Sequence, residues 1–133
     1  MAVQRKPSHP KTLARRCAEL MISKKAKDVR VLDIRGLTDI SDFFVICSAD
    51  SDTQVNAIAD AVADGMAKIG IKPWRSEGWQ GGQWIIIDFV EVVCHILYRE
   101  AREFYNIERL WADAKVEKIV DEGDGNDMTK DEG

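Results

Sequence analysis

Between Trp84 and His95 the chain sets recognition-type and titratable side chains into an apolar run. Trp84, Asp88, Glu91 and His95 stand where a plain core strand would carry Val or Leu. Several chemistries use such residues. A Cys–His pair serves as nucleophile and base, and Cys94 adjoins His95. Neighbours on a strand, however, point to opposite faces, which separates these two groups. Paired carboxylates hold Mg²⁺ for phosphoryl chemistry, but Asp88 and Glu91 are not spaced to share one strand face. His95 has no second histidine nearby, so no metal site follows. A hydrogen-bonded structural or interface histidine is the simpler reading.

Phosphate binding fares no better. Ser48 to Ser51 follows a strand and opens a helix, the geometry that holds phosphate in nucleotidyl transferases. Ala49-Asp50 stands at that turn instead of glycines, and an Asp there repels phosphate. Gly78, Gly81 and Gly82 are followed by neither Gly-Lys-Ser/Thr nor a helix. They predict a hairpin loop needing positive φ. Asp39 and Asp42 flank Ser41 and fit loop turn chemistry. No catalytic set, cofactor or metal is expected.

The aromatic residues point elsewhere. Trp74, Trp79, Trp84 and Trp111 all lie in the second half. Tryptophan is enriched at interface hot spots, though Trp111 reads as core. Alternation puts Trp84, Ile86 and Asp88 on one strand face and leaves Ile85, Ile87 and Phe89 for the helices. An apolar face carrying acid suits a basic protein partner.

The elements that position these residues are legible. Leu13, Cys17, Leu20 and Met21 mark one helical face, with Ser8 or Thr12 as its cap and an end near Lys25-Ala26. Val29 to Asp33 reads as a strand. Phe43 to Cys47 is a continuous apolar run, hence a strand buried on both faces. Ser51 and Gln54 form a capping box, and Val55, Ile58, Ala59, Val62, Met66 and Ile69 line the helix that follows. Gly70 is placed as its left-handed end, and Gly65 as a point of close packing. A strand starts at Lys72-Pro73-Trp74; Pro73 argues for an edge. Trp84–Phe89 and Val92–Tyr98 form a hairpin turning at Val90-Glu91. A helical segment from Arg102 closes at Leu110-Trp111. The expected fold is α/β, a single-layer mixed sheet with helices in the order α-β-β-α-β-β-β-α.

The 133 residues fit one domain, and the net charge of −4 does not suit a surface laid along nucleic acid. Positive charge gathers at the start, in Arg5, Lys6, Lys11, Arg15, Arg16, Lys24, Lys25, Lys27 and Arg30, which reads as a solvated helix face. Negative charge gathers at the end, in Asp121, Glu122, Asp124, Asp127, Asp131 and Glu132. We expect a flexible basic segment over 1–10, a folded domain over 11–116, and an acidic disordered tail over 117–133. Cys17, Cys47 and Cys94 form no CxxC pair, so they read as free buried thiols in a reducing cytoplasm. No apolar run approaches membrane-spanning length, and no signal core opens the chain.

In this order and spacing, the motifs resemble the ribosomal silencing factor (Iojap-related) family. They are Leu32-Asp33, Ser41-Asp42-Phe43-Phe44-Val45-Ile46, Gln54-Val55 with Ala57-Ile58-Ala59-Asp60, Glu77-Gly78, Trp84 to Phe89, Val92-Val93-Cys94-His95, and Glu100 through Phe104-Tyr105 to Leu110-Trp111-Ala112-Asp113. The resemblance spans residues 12 to 114. It implies a nucleotidyltransferase-like fold without catalytic residues. It also implies binding to the large ribosomal subunit through its fourteenth protein, at the intersubunit face. There the factor would block joining of the small subunit and lower translation when nutrients are short. The chain departs from the family at Val90-Glu91, where Gly-Asp is common. It departs again at Ala49 and Thr53, where Gly and Arg are common. The expected partner contacts are Trp84, Ile86, Asp88 and Glu91, with Trp74 and Glu77 on the neighbouring strand. The rival reading is a nucleotide-binding or nucleotidyl-transferring enzyme on the same fold. A dimer formed through the edge strand near Trp74 is a third.

Overall fold

The computed structural model describes residues 9–121. Helix α1 (Pro10–Ile22) buries Leu13, Ala14, Cys17, Ala18 and Met21. Its N-cap is His9, with no side-chain cap bond; Pro10 opens the helix, where a missing N–H costs nothing. Thr12 therefore lies inside the helix rather than capping it, and Ser8 falls outside the described residues. Strands β1 (Lys27–Asp33) and β2 (Phe43–Ala49) follow, then helix α2 (Asp52–Ala67). Strands β3 (Arg75–Glu77), β4 (Trp84–Asp88) and β5 (Val92–Tyr98) come next. Helices α3 (Arg99–Tyr105) and α4 (Ile107–Leu110) and strand β6 (Lys115–Ile119) end the fold.

The sheet order is β3-β4-β5-β2-β1-β6. Only β2 and β5 pair in parallel, and the other pairs are antiparallel. Every residue of β2 is buried, as its unbroken apolar run requires of a central strand. Two cores flank the sheet. Helices α1 and α2 cover one face, where Val45, Cys47, Ile85, Ile87, Phe89, Cys94 and Ile96 are buried. A smaller core of Leu32, Ile34, Phe44, Ile46, Leu97, Ala101 and Ile107 lies on the other face. Each large aliphatic side chain so buried contributes about 1.5–3 kcal/mol.

Strand β3 begins at Arg75 rather than at Lys72-Pro73-Trp74, and two larger parts of the sequence reading also change. First, the terminal helix is broken. Asn106 takes a left-handed φ of 45° and separates α3 from α4. Second, β6 was not expected. It pairs antiparallel with β1 from Val29↔Ile119 to Asp33↔Lys115, and Arg15 of α1 bridges Glu117 at 3.1 Å. The boundary expected between 116 and 117 falls inside this strand, so residues 117–119 belong to the sheet. Residues 1–8 and 122–133, where the rest of the two terminal segments was assigned, lie outside the described residues.

Local devices lock the helices in place. Ser51 Oγ accepts the Gln54 N–H at 3.0 Å, as the capping box requires. Gln54 does not return the bond to Ser51. Its Oε1 accepts from the Asp50 N–H at 2.7 Å, and its Nε2 donates to the carbonyls of Lys24 and Lys25. The cap thus also ties α2 to the end of α1. Gly65 faces Leu20 so closely that a Cβ there would drive into the leucine methyls. Gly70 takes φ 82° and Gly78 takes φ 91°; at Gly78 a Cβ would collide with the Trp84 carbonyl oxygen.

The β4–β5 turn carries strain. Val90 sits at φ 81°, a region that a β-branched side chain rarely adopts. It is exposed, so its side chain gains little there. We expect Val90→Gly to stabilise the fold by about 1 kcal/mol, relief of strain exceeding the added entropy of the unfolded chain. The urea midpoint should rise; an unchanged or lower midpoint would show that the turn holds valine without strain.

Candidate functional site

Strand β4 alternates as its sequence demands: Ile85 and Ile87 are buried beneath α2, while Trp84, Ile86 and Asp88 are partly exposed on the opposite face. Register aligns neighbours with them. Arg75 lies opposite Asp88 and Glu77 opposite Ile86 on β3, while His95 lies opposite Ile86 and Val93 opposite Asp88 on β5. The expected contacts Trp84, Ile86, Asp88 and Glu77 are therefore together on one face. Trp74 precedes β3; it is 68% exposed, with the Arg75 guanidinium 5.1 Å from its ring centre. Glu91 is exposed in the hairpin turn, and its carbonyl accepts from the N–H groups of Asp42 and Phe43.

Asp88 is engaged within the chain. One carboxylate oxygen accepts the Val90 N–H at 2.8 Å, and the other lies 3.6 Å from Arg75 Nε. Arg75 also bridges Glu77 at 3.5 Å. Asp88 thus fixes both the turn and the Arg75 side chain.

The face is not bare, as the sequence alone suggested. Helices α3 and α4 cover the part of it over β5, β2 and β1, where Ala101 and Ile107 pack with Leu97, Phe44, Ile46 and Leu32, and extend it with aromatic groups. Trp84 packs 4.9 Å from Tyr105, and Tyr105 packs 4.9 Å from Phe104. Inward, the Trp84 indole Nε1–H donates to His95 Nδ1 at 3.2 Å. His95 lies 4.7 Å from Phe44, which meets Trp111 edge-on at 5.5 Å. A series of ring contacts so runs from the second core to solvent. Phe104 is 79% exposed and Leu110 77%, both unusual for large apolar side chains. Sequence reasoning missed these two and Tyr105. The sequence signal was weak: adjacent helical residues lie about 100° apart and can share one core face, as the buried Ile58 and Ala59 do.

The titratable groups here are set for structure. Burial pushes His95 down to about 4, so it is neutral at ordinary pH. Its Nδ1 accepts from Trp84, which leaves the proton on Nε2. Cys94 is held well above its ordinary value by its hydrogen bond with Cys17 and by burial, and burial pushes Cys47 up to about 12. Thiols held protonated in this way are inert. Just before α2, the Asp50 carboxylate lies 3.3 Å from both Lys27 Nζ and Arg99 Nη1. Nearby, every nitrogen of the buried Arg102 guanidinium is engaged by Asp28, Ser48 or Glu108. Among the described residues, no group of three or more His, Cys, Asp or Glu could hold a metal ion. No described helix is long and apolar enough to cross a membrane.

Comparison with known proteins places the chain in a family. The family model for "Ribosomal silencing factor during starvation" matches residues 7–132. Ribosomal silencing factor RsfS of Bacillus subtilis is 36% identical over 106 residues, covering 80% of this chain and 90% of that one. RsfS of Halalkalibacterium halodurans is 41% identical over 96 residues, covering 72% and 82%. A chloroplastic Iojap protein of Zea mays is 35% identical over 106 residues, covering 77% of this chain and 43% of its own. Among solved structures, a Chromobacterium violaceum protein superposes with a TM-score of 0.78 at 29% identity, covering 86% of this chain and 95% of that one. With the family matched across nearly the whole sequence and the fold shared with solved relatives, the chain belongs to the ribosomal silencing factor family.

Proposed function

We propose that this protein is a translation repressor of the cytoplasm that binds the large ribosomal subunit at its fourteenth protein and sterically blocks joining of the small subunit, above all when nutrients are limiting. The observation that carries this reading is the half-covered sheet face, where Trp84 joins Ile86 and the exposed Tyr105–Phe104 pair into one apolar surface. Family membership supplies the kind of partner. Ribosomal proteins are basic because they neutralise RNA phosphate. Glu77 and Glu91 beside the apolar patch are complementary to such a protein and steer its approach. The contact is made by Trp84, Ile86, Asp88, Glu91, Trp74 and Glu77, extended by Tyr105 and Phe104. The protein acts by occupying space, with no bond made or broken.

Sedimentation of purified subunits with and without the protein tests this. Wild-type protein should co-migrate with large subunits and prevent formation of joined ribosomes. Trp84→Ala should weaken binding by about 2 kcal/mol or more, since an aromatic anchor at the centre of an interface dominates its energetics. Normal joining at saturating protein would overturn the occlusion mechanism; full co-migration of folded Trp84→Ala would remove Trp84 from the contact. Sedimentation of the protein alone reads whether the short β3 edge pairs with a second copy and so competes for the same face.

A further inference from the structure

We propose that His95 is the positioning residue of the docking face: its Nδ1 accepts the Trp84 indole N–H and so selects the ring orientation that Trp84 presents to a partner. The proposal rests on the reading of Trp84 as a docking anchor. Trp84 and His95 are diagonal neighbours on β4 and β5, since Trp84 pairs with Leu97 and His95 with Ile86. Diagonal neighbours lie within reach of aromatic side chains. The bond between them is 3.2 Å long. Ring contact with Tyr105, at 4.9 Å and tilted by 44°, constrains the plane of the indole. Such a contact tolerates the ring turned over by half a revolution, because both orientations offer a face to the tyrosine. The hydrogen bond does not: only one orientation brings Nε1 to His95.

A packing role does not account for a histidine here. Neighbouring positions on the same strand carry Val93, Ile96 and Leu97, any of which would fill the site. Histidine instead leaves Nε2 buried with no hydrogen-bond partner among the described residues. That arrangement costs stability, and an apolar residue would avoid it. The polar atom that does find a partner is the one holding Trp84. His95 is itself held on its other side by Phe44 at 4.7 Å, and Phe44 by Trp111. The second core thereby sets the imidazole, and the imidazole sets the indole. An anchor fixed before encounter loses less rotamer freedom on binding.

The test uses the full chain with His95→Leu, His95→Gln and Trp84→Ala, each checked for folding by thermal melting. The readouts are Kd for purified large subunits and the Trp84 indole N–H resonance. We expect His95→Leu to bind about tenfold more weakly and to shift the indole resonance, and His95→Gln, whose amide oxygen accepts in the same place, to stay within about threefold of wild type. If Trp84→Ala weakens binding and His95→Leu does not, the positioning role is wrong while the docking reading stands. Equal loss in His95→Gln and His95→Leu, or an unshifted indole resonance in His95→Leu, would also overturn it. Undiminished binding by Trp84→Ala would overturn the docking reading itself, and with it the purpose assigned to His95.

Discussion

Replacing Arg102 by alanine should destabilise the fold by about 3–5 kcal/mol, the range for breaking a buried ion pair from one side. Arg102 is 7% exposed and joins four parts of the chain. Its Nη1 donates to the Asp28 carbonyl at 2.7 Å and to Ser48 Oγ at 2.9 Å. Its Nε and Nη2 grip the Glu108 carboxylate at 3.0 and 2.9 Å. One guanidinium thus fastens α3 to β1, to β2 and to α4. Alanine would leave Glu108 without its bidentate partner and the buried Ser48 hydroxyl without a donor. Arg102→Lys should recover little, because an ammonium cannot match the planar fork. Urea unfolding followed by far-UV circular dichroism measures both. A loss below about 1 kcal/mol would mean that water takes the place of the guanidinium.

The second large effect is on the acid side of the stability profile. His95 titrates at about 4 in the fold, because burial disfavours the imidazolium, against an ordinary 6.5. Between these values the unfolded chain binds the proton and the folded chain does not. The stabilisation is therefore complete above about pH 6.5, falls as pH drops towards 4, and levels off below. The difference corresponds to about 3 kcal/mol. Asp33, held below its ordinary value by its hydrogen bond from Arg35, loses its contribution at pH below this window. Unfolding midpoints measured from pH 7.5 to 4 should show the slope, and His95→Leu should flatten it. An equal slope in the variant would assign the titration to other groups.

How much of this was legible in the sequence depended on the kind of signal. Continuous apolar runs and strict alternation were read correctly: Phe43–Cys47 is a central strand, and Ile85 and Ile87 turn from Trp84, Ile86 and Asp88 as the period of two dictates. The Gly70 end of α2 and the positive φ of Gly78 were legible for the same reason, since local sterics decide them. Long-range pairing was not. Lys115–Ile119 has no clean period, because an edge strand half in solvent tolerates charge at either face. The family resemblance had to supply the partner, as no residue pattern names one. The site was half legible. Alternation found the strand face, but Leu110 was taken as closing the terminal helical segment, and both it and Phe104 stand in solvent. The bond between Trp84 and His95 joins two motifs that the sequence presents as separate.

Strand β6 has a consequence for the order in which the molecule can be completed. Its partner β1 leaves the ribosome early, whereas Lys115–Ile119 is among the last described residues to be made. Until then β1 has an outer row of N–H and C=O groups with nothing to pair, open to the edge of any other nascent strand. A chain cut at 116 would carry that open edge permanently. The last strand of the sheet thus acts as a seal, applied only after the other five strands have been made.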